Sequence, residues 1–155
     1  MTVRAHPIGL LSLFVLAFAI PAWGQDGAAI FVQQPWARAS ILASRPAAAY
    51  LTILNKDDRP ATLVALETPV AGRAEVHRTV KQGDVMKMVP AGPIEVPAGG
   101  SVRMEPGGYH VMLMDLERPI EKGETLKLTL RFANASPIAV SVPVLGPGAR
   151  GPEDD

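Results

Sequence analysis

Thr125-Leu126-Lys127-Leu128-Thr129-Leu130-Arg131-Phe132 alternates polar and apolar side chains from end to end. A period of two is the strand period, so this stretch reads as a β-strand with one face in a core and one in water. Ile138 to Val144 alternates likewise and follows after a short turn at Asn134-Ala135-Ser136-Pro137. Working back towards the N-terminus, further short strands are expected at Phe31–Ser40, Ala47–Asn55, Ala61–Leu66, Ala74–Val80 and Val85–Val89. Three more are expected at Pro93–Val96, Ser101–Glu105 and Tyr109–Leu116. They are punctuated by Asn55-Lys56-Asp57-Asp58-Arg59-Pro60, Gln82-Gly83-Asp84, Pro97-Ala98-Gly99-Gly100 and Pro106-Gly107-Gly108, all built from turn-forming residues. No segment sustains a helical period. Short strands with turns at intervals of roughly 8–12 residues predict an all-β fold, a Greek-key β-barrel or sandwich.

The two ends read differently from this middle. Arg4 precedes an apolar run from Ile8 to Ile20, broken only by Gly9 and Ser12, and Pro21 then ends any helix. Ala22-Trp23-Gly24 puts small residues where a signal peptidase reads, so residues 1–24 are expected to be a signal peptide cleaved near Gly24. The run is shorter than the roughly 20 residues a bilayer requires, which argues against an uncleaved anchor. No cysteine follows it to carry a lipid. Export to a bacterial periplasm follows as the expected localisation. Residues 25–145 then form one domain, and the Gly-, Pro- and acid-rich segment 146–155 is expected to be a disordered tail.

Without residues 1–24 the formal charge is near −1, since Arg4 is the one charged residue removed. There is no basic stripe for nucleic acid or for a membrane surface. The chain has no cysteine, so neither disulfides nor thiolate metal ligands are available.

The chemistry-bearing residues are histidine and methionine. His77 and His110 are the histidines of the expected mature chain, in Glu75-Val76-His77 and Tyr109-His110-Val111-Met112-Leu113-Met114. Met86 and Met88 stand in Val85-Met86-Lys87-Met88, and every methionine after Met1 falls between Met86 and Met114. Imidazole and thioether without thiolate is a soft, uncharged donor set. It suits Cu(I), and suits zinc, magnesium or calcium poorly. Alternate strand residues share a face, so His110 and Met112 project together. The Gln82-Gly83-Asp84 turn folds the Met86–Met88 strand back along His77, but alternation cannot choose between Met86 and Met88. Met104 and Met114 are expected in the core, because methionine commonly fills irregular gaps there. A blue-copper electron carrier needs a cysteine. No carboxylate pair or Ser/His/Asp order suggests an enzyme.

The order His77, ten residues, Met88, twenty-one residues, His110, one residue, Met112 resembles the pattern of the periplasmic copper chaperone family, often called PCuAC. Val85-Met86-Lys87-Met88, Ile94-Glu95-Val96-Pro97-Ala98-Gly99-Gly100 and Pro106-Gly107-Gly108-Tyr109-His110-Val111-Met112 carry the resemblance, which spans about Val32 to Val144. It implies a cupredoxin-like barrel and a Cu(I) site near solvent formed by His77, Met88, His110 and Met112. It thus selects Met88 over Met86. It also implies delivery of copper to the CuA centre of cytochrome c oxidase. Arg78 stands where some members place a further methionine, and the tail lacks the histidines and methionines of a second copper site.

Ligand exchange is the expected mode of transfer. The acceptor would supply cysteine thiolates, as cytochrome c oxidase subunit II or a thioredoxin-like assembly factor could. A copper-storage protein would share the site, and a metal-free interaction module would use neither histidine. Trp36 and Tyr109 are candidates either to shield the ion or to fill the core.

Overall fold

The computed structural model describes residues 29–153, so the expected signal peptide and its cleavage point lie outside the described residues. The described residues form ten strands, and none of them is helical. They are β1 (Ile30–Arg38), β2 (Ala47–Asn55), β3 (Ala61–Glu67), β4 (Ala71–Gln82) and β5 (Val85–Pro90). The second half holds β6 (Ile94–Val96), β7 (Ser101–Arg103), β8 (Tyr109–Leu116), β9 (Thr125–Phe132) and β10 (Ile138–Leu145). β2, β8 and β9 have the bounds expected from the sequence, and the others differ by one to three residues at an end.

The sheet runs β4-β8-β2-β1-β10-β9-β3, and β3 pairs with β4 at Leu66 and Ala74 to close it. The result is a seven-stranded cupredoxin-like Greek-key barrel, antiparallel except where β1 runs parallel to β10. β5 continues the sheet beyond the barrel, bonded to β4 alone, and β6 does the same on β3. Closure leaves most strands without a free edge, which protects a short-stranded β-protein from edge pairing.

The apolar positions of the alternating strands line the interior. Leu126, Leu128 and Leu130 of β9 meet Leu51 and Ile53 of β2 and Val111 and Leu113 of β8 in one continuous core. Burying each leucine there is worth about 1.5–3 kcal/mol against leaving it in water. Asn55 is fully buried at the end of β2. Its amide donates to the Arg59 and Val96 carbonyls and its Oδ1 accepts from Asp57 N, which ties the following turn to the core.

One irregularity sets the outer surface near the candidate metal-binding residues. Between Gln33 and Trp36, β1 carries an extra residue opposite β2, with Gln34 at φ 47°. Unbroken alternation from Ile30 and Val32 would point Trp36 inward; the bulge reverses the parity. Ala37 therefore enters the core, and Trp36 turns out to stack on Tyr50 with ring centroids 4.4 Å apart.

That outer pair also orders part of the tail. The expectation of disorder rested on the lack of large apolar residues after Gly146, yet Ala149 is buried against Trp36, Tyr50 and Leu145. The Ala149 carbonyl accepts a hydrogen bond from Arg38 Nε at 2.7 Å. A small side chain and one backbone bond suffice because the receiving cluster is already built.

Methionine placement also departs from expectation at one position. Met104 is buried in the core as expected. Met114 is not: it lies half-buried on the outer face, opposite Arg73, because it shares parity with His110 and Met112 while Val111 and Leu113 take the inner face.

Candidate metal centre

β4 and β8 are neighbours in the barrel wall, and their register sets His77 directly opposite His110. The inner partners of this pairing are Val76 and Val111, both in the core, so the two imidazoles lie on the outer face. Their ring centroids are 6.1 Å apart. That lies within the span of two imidazoles sharing one ion at metal–nitrogen distances of about 2 Å. Although outward-facing, both are largely covered, at 8% and 3% exposed for His77 and His110.

Each ring has one nitrogen engaged and one bare. His110 Nδ1 is 3.2 Å from the Gly108 carbonyl, which can only accept, so Nδ1 carries the proton and Nε2 the lone pair. His77 Nε2 is 3.4 Å from Glu75 Oε2, which leaves the lone pair on Nδ1. His77 Nδ1 and His110 Nε2 are both buried with no hydrogen-bond partner among the described residues. A buried unsatisfied polar atom costs about 1–3 kcal/mol. Two of them on opposed residues, each on a ring held through its other nitrogen, form the arrangement by which proteins present imidazole to a metal. Burial also lowers the pKa of His110 below the ordinary imidazole value; the Gly108 hydrogen bond opposes this and the neighbouring His77 adds to it. The neutral, metal-binding form is thereby favoured.

Sulfur is the other candidate donor. Met112 shares the face of His110 and stands opposite Glu75. Met88 stands opposite Thr79 and Met86 opposite Lys81, so both share the face of His77 across the β4–β5 hairpin. The register separates them: Met88 is one same-face step from the position opposite His77, and Met86 is two. Gly83, at φ 64°, makes the two-residue turn that sets this register. Met88 is 61% exposed, in contrast to the histidines. Met88, His110 and Met112 together line a hollow of about 390 Å³ whose wall includes Thr79, Tyr50 and Arg38. Among the described residues no three His, Cys, Asp or Glu side chains gather to hold a metal, so any ion here depends on the thioethers.

The two shielding candidates separate. Trp36 belongs to the outer cluster with Tyr50, and it is Tyr50 that reaches the hollow; Tyr109 points to the opposite face and is 36% exposed. Sequence reasoning missed the partners of the imidazoles. Glu75 was legible in principle, since it precedes His77 by two and must share its face. The Gly108 carbonyl has no side-chain identity and left no mark to read.

Residues 30–144 match the family model described as LpqE-like, putative lipoprotein LpqE-like. The chain belongs to this family, the PCuAC family. A putative lipoprotein of Leifsonia xyli subsp. xyli is 33% identical over 92% of this chain and 86% of its own length. Among solved structures, Cu(I)-bound DR1885 of Deinococcus radiodurans is 37% identical, covering 81% of this chain and 86% of that one, with a TM-score of 0.55. The copper-bound PCuAC domain of PmoF2 is 26% identical over 77% of this chain and 94% of that domain, with a TM-score of 0.64.

Proposed function

We propose that this protein is an exported Cu(I) metallochaperone, working in a bacterial periplasm, that holds copper between His77, Met88, His110 and Met112. The observation that carries the reading is the pair of buried nitrogens without a partner among the described residues, His77 Nδ1 and His110 Nε2, on opposed residues of β4 and β8. Thioether sulfur from Met112 and Met88 adds softness without charge, which favours Cu(I) over Cu(II) or zinc. Copper-bound members of the same family support the same ion.

The donors differ in how firmly they are held. His77, His110 and Met112 belong to the closed barrel, whereas Met88 rides on β5, outside it and exposed. An incoming cysteine thiolate, the stronger donor, displaces Met88 first and then takes the ion stepwise. The acceptor is a protein with cysteine thiolates, such as cytochrome c oxidase subunit II or a thioredoxin-like assembly factor. Copper stays Cu(I) throughout, and nothing is catalysed.

The test is an anaerobic Cu(I) titration against a chromogenic chelator, comparing the wild type with the double variant Met88→Leu, Met112→Leu. One tight equivalent that the variant loses is the expected result. Failure of the wild type to bind, or undiminished binding by the variant, would overturn the proposal.

A further inference from the structure

The hollow beside Met88, His110 and Met112 is lined by two arginines, Arg38 and Arg45, and by no carboxylate. Cations beside a site for a cation are electrostatically unfavourable for holding copper, so they need another reason. Five arginines elsewhere are paired: Arg59 with Asp57 and Asp58, Arg73 with Asp115, Arg103 with Glu105, Arg118 with Glu124 and Arg131 with Glu67. Arg38 lies over the rings of Trp36 and Tyr50, and its Nε is bonded to the Ala149 carbonyl. Arg45 is exposed, with no ion pair among the described residues.

The loop that carries Arg45 is fixed by its backbone. Arg45 N donates to the Leu42 carbonyl at 3.1 Å, Ser40 Oγ donates to the same carbonyl at 2.8 Å, and Ser40 N donates to the Ile120 carbonyl. The guanidinium is thus presented on a pinned segment at the mouth of the hollow. The same loop exposes Ile41 and Leu42, at 78% and 50%, and β5 across the hollow exposes Met86 and Met88 on the face of His77. Half of the exposed large apolar side chains among the described residues therefore stand on the loop and the strand face that flank the hollow. Exposed apolar residues gathered in this way mark a protein-binding surface.

We propose that this hollow receives the cysteine-bearing loop of the acceptor protein, with Arg45 attracting the thiolate and the two apolar lips seating the chain around it. The inference rests on the copper reading and names how its acceptor is recognised. A guanidinium at the mouth stabilises thiolate over thiol as the loop enters, the thiol proton passing to water. The thiolate sulfur then bonds to Cu(I) as the Met88 sulfur leaves, with no change of oxidation state. Arg45 is a positioning residue and not a copper ligand.

The test is stopped-flow transfer from the Cu(I)-loaded protein to a synthetic Cys-x-x-Cys peptide, with glutathione as a second acceptor. The proteins compared are the wild type, Arg45→Glu, Arg45→Lys and, as a remote charge control on β9, Lys127→Glu. Electrostatic guidance typically changes encounter rates by 10- to 1,000-fold. For this single exposed charge, Arg45→Glu should slow transfer to the peptide about tenfold at low salt, and the gap should close near 1 M salt, where screening falls to about 3 Å. Arg45→Lys and Lys127→Glu should stay close to wild type. Wild-type rates for Arg45→Glu at low salt, or a loss that salt does not relieve, would overturn the role of Arg45. Glutathione taking copper as fast as the peptide at equal thiolate concentration would overturn the assignment to a protein loop. Cu(I) affinity, titrated separately for each variant, distinguishes the two levels: a wild type that binds no copper fails the parent reading, whereas intact binding with indifferent transfer fails this one alone.

Discussion

Glu75→Ala should weaken Cu(I) binding without weakening the fold. Glu75 Oε2 lies 3.4 Å from His77 Nε2 and is the one group seen to hold the ring with Nδ1 bare. Without that acceptor, His77 can place its proton on Nδ1, and copper binding must then pay to move it and to turn the ring. Removing such an outer partner typically costs 10- to 100-fold in metal affinity. Two observations place this case at the lower end. The contact is long for an N–H···O bond, and the Glu75 side chain is 43% exposed, so water can replace part of what is lost. The expected loss is about tenfold, or about 1.4 kcal/mol. Glu75→Gln retains an acceptor oxygen but not the charge, and should lose no more than about threefold if orientation is what matters. The assay is a chelator competition titration on the three proteins, with thermal melts to show that the fold is unchanged. Ring-nitrogen NMR of the apo-proteins reads the tautomer directly: wild type and Glu75→Gln should protonate Nε2, and Glu75→Ala should show a mixture. An affinity for Glu75→Ala within twofold of wild type would refute the reasoning. So would equal losses in the two variants, since charge alone would then account for the effect.

Three other outcomes follow from the same geometry. Met86→Leu should leave Cu(I) affinity near wild type while Met88→Leu lowers it about tenfold or more, both read by competition titration, because the register brings only Met88 next to His77. Peroxide should oxidise Met88 before the half-buried Met112 in the apo-protein, and Cu(I) loading should protect both; peptide mass spectrometry showing equal sulfoxide with and without copper would contradict this. A chain ending at residue 145 loses the buried Ala149 and its hydrogen bond to Arg38, and should be about 1 kcal/mol less stable by urea denaturation, with Trp36 fluorescence altered.

The parts of this molecule that were legible in its sequence are those where residue type and strand period carry the whole cause. β9 alternates without interruption because one of its faces is core and the other is water, so its bounds could be read directly. The candidate donors could be proposed from the sequence because few functions other than binding a soft ion bring histidine and methionine together at such spacing. What stayed hidden depends on pairings between distant segments. Met86 and Met88 are equivalent by alternation, and only the β4–β5 register makes them unequal. Trp36 changes side because of one extra residue in β1, and no neighbour in the sequence announces it. The tail orders on a cluster that forms only once β1 and β2 have paired, so its composition was a sound guide to its own burial capacity and a poor one to its fate. The centre itself combines both kinds of cause. Its candidate donors are written in side chains, but the aim of the two imidazoles is set by a carboxylate two residues from His77 and by a backbone carbonyl at Gly108. That carbonyl is placed by the turn in which Gly107 adopts φ 87° and Gly108 N donates back to the Glu105 carbonyl. A side chain at position 107 would strain that turn. Gly107 therefore belongs to the proposed metal centre as much as to the fold, since the turn it permits determines which nitrogen of His110 is left free.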